Sequence, residues 1–330
     1  MILRSAFTKS EFQLATQLLA ARVATMLGRK MEEADWDFVY CNAKKIPNTD
    51  WSNLNIDINH NGLGVEHKML RVTASSKSLL NECGTTKMHP SGTRSIRIPV
   101  EKDATLAARE ILTQYSELIT AREKNVKEKS GLNFVDMRIG WLLWKDSLDE
   151  FLYFEEEMKK PNVMDYHAQW HSNPAKGARK ASRSLWIYET STGRKKFSVT
   201  TDAGAKIQPY FDIPNPNDPN LYYFKVQGVV DHQGFVELWA TQSTAKYIAL
   251  LCNGLDKESL SKIILDSPLK VTRKKTDEFY SPQDFAIPVK ITKAAYEKLK
   301  TNFENISDEF LLRQFALSFS SQSETLLNMV

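Results

Sequence analysis

Acidic and basic side chains that could act together crowd into Asn55-Ile56-Asp57-Ile58-Asn59-His60-Asn61-Gly62-Leu63-Gly64-Val65-Glu66-His67-Lys68-Met69-Leu70. Asn-Gly between two β-prone runs predicts a hairpin, because a type I′ turn needs positive φ at both central residues. With Asn61 and Gly62 at the turn, counting outward pairs His60 with Leu63, Asn59 with Gly64, Ile58 with Val65, Asp57 with Glu66, Ile56 with His67 and Asn55 with Lys68. Strand alternation then places Asn55, Asp57, Glu66 and Lys68 on one face, and Ile56, Ile58, Val65, His67 and Met69 on the other. Directly opposed carboxylates have Cβ atoms about 4.5–5.5 Å apart and repel. A divalent cation between them turns repulsion into coordination. Magnesium suits such a site, because it takes one or two protein carboxylates and keeps positions for water and phosphate oxygens. Lys68 would then hold a phosphate or the attacking water.

An acidic residue on one strand followed by E-x-K on the next resembles the PD-(D/E)xK nuclease superfamily, and type II restriction endonucleases in particular. The resemblance rests on Asp57 and Glu66-His67-Lys68, with a helix before and a long helix after them. It implies that Asp57 and Glu66 bind magnesium with help from the backbone carbonyl of His67, and that Lys68 orients or activates water. The chain departs from the family pattern in having no Pro-Asp pair. Its nearby proline gives Pro47-Asn48-Thr49-Asp50, which makes Asp50 the alternative metal ligand. A second E-x-K, Glu157-Met158-Lys159, lies in the charge run Glu155 to Lys160 and reads as a solvated face. Glu11, Glu32 and Glu33, which flank the first helix, are also read as solvated.

These residues need a scaffold. Phe12, Ala15, Leu19, Val23 and Met26 recur at helical spacing over Phe12 to Leu27, with Ser10 as N-cap and Gly28 as stop. Trp36 to Tyr40, Leu54 to Asn59, Leu63 to Val72 and Arg94 to Val100 read as strands. Asp103 caps a long helix that ends near Gly131, and strands follow at Met137 to Trp144 and Phe151 to Phe154, whose aromatic residues should pack a core. Further on, strands are expected at Leu185 to Tyr188, Lys196 to Thr200, Leu221 to Val230 and Phe235 to Trp239. Helices are expected at Thr244 to Cys252, Lys257 to Ile264 and Lys293 to Phe303. The expected fold class is α/β: a restriction-endonuclease-like core with a mixed central sheet flanked by helices, plus a β-rich C-terminal half. Residues 1–165 would form the nuclease core. Residues 166–330 would form a β-rich and helical region for DNA recognition, either a domain of its own or an elaboration of the first.

With 42% hydrophobic and 25% charged residues the composition excludes collagen-like, mucin-like and wholly disordered chains. Forty-four Lys and Arg against 40 Asp and Glu leave only +4, so clustering matters more than the total. Lys87, Arg94 and Arg97 lie in one basic stretch rich in Ser, Thr and Gly. Lys176, Arg179, Lys180 and Arg183 lie in a second, interleaved with Trp170, Trp186 and Tyr188. Short polar side chains with cations are what phosphate contacts require. His167 and His171, four apart, have no cysteine or H-E-x-x-H beside them and read as polar surface. No phosphate-binding glycine loop or nucleophile-elbow motif occurs, which argues against a nucleotide-driven motor and a serine hydrolase. Cys41, Cys83 and Cys252 are widely spaced and read as reduced thiols. With no signal-like start and no membrane-length apolar run, the expectation is a cytoplasmic protein. The expected activity is magnesium-dependent, sequence-specific cleavage of double-stranded DNA, by a homodimer if the target is palindromic. The alternatives are a repair or recombination nuclease that reads DNA structure, and a DNA-binding regulator without catalysis.

Overall fold

The computed structural model describes residues 5–26, 29–47, 56–73, 78–90, 97, 99, 103–175, 177, 180–200, 207–251, 281–302 and 307–314. Helix α1 (Lys9–Met26) begins where Thr8 and Glu11 cap it reciprocally. The Glu11 N–H donates to Thr8 Oγ1 at 3.3 Å, and the Thr8 N–H donates to Glu11 Oε2 at 2.6 Å. Thr8, not Ser10, therefore starts the helix, and the expected stop at Gly28 lies outside the described residues. Trp36 to Tyr40, expected as a strand, lies inside helix α2 (Glu33–Lys44). The Glu32 N–H donates to Asp35 Oδ2 at 2.9 Å at its start, and Lys45 closes it at φ 54°. Trp36, Val39, Tyr40 and Ala43 recur at helical spacing and are buried, so packing overrides the aromatic β preference.

The hairpin forms at the expected turn. Asn61 has φ 46° and Gly62 φ 81°, and strands β1 (Ile58–His60) and β2 (Leu63–Arg71) pair Ile58 with Val65, Asn59 with Gly64 and His60 with Leu63. The pairing stops there, because the chain bends at Asp57. Ile56 consequently does not share a face with Ile58. It joins the cluster around Val126 and Met137, whereas Ile58 joins the cluster of α1 and α2.

The short strand β3 (Thr86–Met88) comes next, followed by α3 (Ala104–Ser130). Asp103 caps α3 by accepting from the Thr105 and Leu106 N–H groups at 2.9 and 3.2 Å, and Gly131 ends it at φ 71°. This helix is the crossover that lets β4 (Asp136–Trp144) run parallel to β2, in register from Leu63 with Asp136 to Arg71 with Trp144. Strand β5 (Glu150–Glu157) turns back antiparallel to β4.

The remaining elements are β6 (Tyr166–Asn173), β7 (Ser182–Glu189), β8 (Lys195–Thr200), β9 (Ile207–Asp212), β10 (Tyr222–Lys225), β11 (Val229–Val230), β12 (Phe235–Thr241), α4 (Gln242–Leu251), β13 (Ala286–Thr292) and α5 (Lys293–Asn302), with a last helical stretch at 308–314. Three sheets result: β1-β2-β4-β5-β10, β3-β9-β8-β7-β6 and β11-β12-β13. The chain is thus mixed α/β, and its first sheet combines parallel and antiparallel pairs. Strands β3, β6, β9 and β13 are not legible in the sequence, and the strand expected over Leu221 to Val230 divides into β10 and β11 of different sheets; β9 and β13 carry Pro209 and Pro288, which argue against a strand. The Arg94 to Val100 strand lies largely, and the Lys257 to Ile264 helix wholly, outside the described residues.

The first sheet lies between layers. One face meets α1 and α2 through Trp36, Tyr40, Val65, Tyr153 and Phe224, and the other meets α3. Helix α3 is covered on its far side by the second sheet through Ala168, Leu185, Ile187, Val199 and Ile207. Strand β10 from the second half completes the first sheet, and β3 from the first half joins β9, so strands cross position 165 both ways. Because Ile111 is fully buried in this sandwich while Leu106 on the same helix is 53% exposed, Ile111→Ala should destabilise by about 2–5 kcal/mol and Leu106→Ala by less than about 0.5 kcal/mol in urea unfolding.

Candidate active site on the hairpin

Alternation along β2 sends Val65, His67 and Met69 toward α1 and α2, and Glu66 toward α3. Glu66 Oε1 accepts from Lys68 Nζ at 2.6 Å and from the Arg122 guanidinium of α3 at 2.9 Å. Glu66 and Arg122 are each 5% exposed. Among the described residues Glu66 Oε2 accepts no hydrogen bond, and the Arg122 Nε is buried without a partner.

Asp57 reaches the same place by a different route from a strand pair. Its Oδ2 accepts the His67 N–H at 2.6 Å, replacing the ladder acceptor lost at the bend. Asp57 keeps one side to solvent, yet crowding around its carboxyl and the neighbouring Glu66 charge push its pKa up to about 7. Glu33, in the first turn of α2, borders this mouth. Desolvation raises its pKa, Lys68 opposes that rise, and Asp37 and Glu66 add to it. Glu33 is exposed, as expected of a solvated helix face, and its charge is coupled to those of Lys68, Asp37 and Glu66.

His67, between Glu66 and Lys68, is fully buried and held at three atoms. Besides its N–H on Asp57, its Nδ1 lies 2.5 Å from Asp37 Oδ1 and its Nε2 3.2 Å from the Tyr153 hydroxyl. Burial disfavours the charged ring, but the Asp37 carboxylate outweighs it and raises the His67 pKa. Tyr153 donates onward to Glu155 Oε1 at 2.8 Å, Tyr40 donates to the same atom at 2.9 Å, and Arg138 donates to Glu155 Oε2 at 2.6 Å. Gly140 makes room: a Cβ there would stand 2.7 Å from His67 Cδ2.

Glu155, which opens the charge run around the second E-x-K, is not at the surface with Glu157 and Lys159: it is 2% exposed. Asp37, Arg122, Tyr153 and Glu155 had no motif to announce them. The available signal was parity, since Tyr153 and Glu155 alternate with apolar residues on β5.

The structure brings Asp57, Glu66, His67 and Lys68 together. Asp50, the alternative ligand, lies outside the described residues, as do Arg94, Lys176 and Arg179. Lys87 is paired with Glu82 at 2.5 Å, Arg97 is exposed, with its backbone N–H on Gln114, Lys180 is exposed, and Arg183 lies over the Trp170 ring at 4.5 Å. Among the described residues no three His, Cys, Asp or Glu side chains form a ready metal cage. Asp57 Oδ1 and Glu66 Oε2, without protein partners among the described residues, are a donor pair that fits a cation needing one or two carboxylates.

The chain matches no protein-family model, no curated protein and no solved structure. No helix among the described residues is long and apolar enough to cross a membrane.

The buried Glu155–Arg138 pair generates a stability prediction. Arg138→Met leaves a buried carboxylate without its guanidinium and should cost about 3–5 kcal/mol, whereas the double variant Arg138→Met/Glu155→Leu should recover much of that loss. Urea unfolding of the single and double variants checks both expectations.

Proposed function

We propose that this chain is a magnesium-dependent endonuclease acting on double-stranded DNA in the manner of a type II restriction enzyme, on a restriction-endonuclease-like core. The observation that carries the reading is the convergence of Asp57 and Glu66 with Lys68 two residues on, on a hairpin followed by a long crossover helix. Asp57 Oδ1, Glu66 Oε2 and the His67 carbonyl would hold magnesium. Bound there, the ion supplies a lowered pKa for water and offsets charge developing on phosphate. The chain's own residues do the rest. Lys68, an ammonium held by Glu66, orients the attacking water or a phosphate oxygen. Arg122 keeps the Glu66 carboxylate aimed. His67 holds the β2 backbone between the two functional side chains. A palindromic target would call for a homodimer by symmetry matching.

One observation favours a second reading, a DNA-binding protein without catalysis. Glu66 already accepts two cations, so its charge is offset without metal. That reading predicts DNA binding indifferent to magnesium and no cleavage products.

Incubation with long mixed-sequence DNA and magnesium separates the readings: discrete bands are expected, a smear would mean nonspecific or structure-directed cutting, and intact DNA would overturn the nuclease assignment. Glu66→Ala and Lys68→Ala should each abolish cleavage while duplex binding persists. Calcium should support binding with little cutting, since it takes more ligands in looser geometry.

Proton competition gives a second expectation. Asp57 must lose its proton to bind a cation, and its pKa is raised to about 7. Magnesium affinity should therefore be level above that pH and fall about tenfold per unit below it. Calorimetric titrations across that range check the slope, and a flat affinity would remove Asp57 from the ligand set.

A further inference from the structure

The second sheet has two faces of opposite character. Inward positions carry Ala168, Leu185, Ile187, Val199 and Ile207 against α3. Outward positions carry His167, His171, Trp186, Tyr188, Lys195 and Tyr210, all partly exposed and none a member of an apolar cluster.

These side chains form rows across the strands. The His171 ring stacks on Trp186 with centroids 3.8 Å apart and planes 19° apart. Lys195 Nζ lies 3.5 Å from the Trp186 centroid and 5.1 Å from that of Tyr210. An imidazole and an ammonium at such distances cannot share one ring face, so the indole is sandwiched between them. The row His171–Trp186–Lys195–Tyr210 thus crosses β6, β7, β8 and β9. Beside it, His167 stacks on Tyr188 at 5.5 Å and 13°.

The chemistry of this face follows from the sandwich. With both faces of Trp186 covered, only its edge remains for a partner, and ring edges carry the positive end of the aromatic quadrupole. Lys195 has no carboxylate partner among the described residues; rings alone hold it. Asp212, at the end of β9, is bound by Arg194 and by Thr86, whose hydroxyl donates at 2.6 Å, so it does not oppose that charge. A sheet face offering ring edges and an unneutralised ammonium complements an extended anion. Trp186, its central ring, offers no open face for stacking bases or sugars.

We propose that the outward face of the second sheet carries the sugar-phosphate backbone of duplex DNA, with Lys195 as its central phosphate contact. This rests on the DNA-binding part of the preceding reading and not on cleavage. Binding of a labelled mixed-sequence duplex, followed by fluorescence anisotropy in chelator over a range of salt, tests it without catalysis. Lys195→Glu should weaken binding at least about tenfold, and Lys195→Gln, which keeps the packed stem, should weaken it less and lower the salt slope by about one. Circular dichroism shows whether each variant is folded, and Lys195→Gln serves alone if Lys195→Glu is not.

Folded variants that bind within twofold of wild type overturn the proposal, as does a wild type that binds no duplex. Loss of self-association with DNA binding unchanged would make this face an interface between copies, and also overturns it. Weakened binding by the variants, with no cutting by wild type in magnesium, sustains this proposal while removing the nuclease.

Discussion

The three hydrogen bonds of His67 are the constraint on which the site depends. A fully buried imidazole on the central part of β2 must satisfy both ring nitrogens, and it does so with Asp37 from α2 and Tyr153 from β5. Its backbone N–H takes Asp57. One residue therefore ties a helix, two strands and the chain before β1 to each other. The bond to Asp57 also explains the bend: once the carboxylate replaces the ladder acceptor, Ile56 is released to the α3 side. Glu155 extends the network to Tyr40 and Arg138, so that a carboxylate 2% exposed is met by two hydroxyls and a guanidinium. A partly satisfied network of this kind would be worse than an apolar core, which makes its completeness informative.

Parts of this were legible in the chain itself. Asn61-Gly62 specifies a turn whose φ values few other residues tolerate, and the register follows by counting. Asp103 and Gly131 bracket α3 for equally local reasons. What escaped were features decided by tertiary contacts. Trp36 and Tyr40 prefer strands in isolation, yet they stand in a helix because both rings pack around Tyr153 and His67. Glu155 opens a run of charges and looks solvated, but its partners come from positions 40, 138 and 153. Arg122 lies 56 residues from Glu66 in sequence and meets it only because α3 crosses over the sheet.

The same geometry sets the demands on any cation. Lys68 and Arg122 share one oxygen of Glu66 and leave the other available. A divalent ion would enter where two fixed positive charges already stand, so it must gain from Asp57 what it loses to them. At Asp57 and Glu33, desolvation first and neighbouring carboxylates next raise the pKa values, so carboxylate charge is costly at this spot. The position of Asp57, set by the His67 N–H, thus decides whether the hairpin can offer a cation a second carboxylate.

The direct measurement is the binding of Mn2+, as a stand-in for magnesium, followed by electron paramagnetic resonance in the wild type and in Asp57→Asn and Asp50→Asn. The account predicts a bound-ion signal that persists in Asp50→Asn and is lost or greatly weakened in Asp57→Asn. Loss in Asp50→Asn with retention in Asp57→Asn would contradict it and give the first ligand position to Asp50.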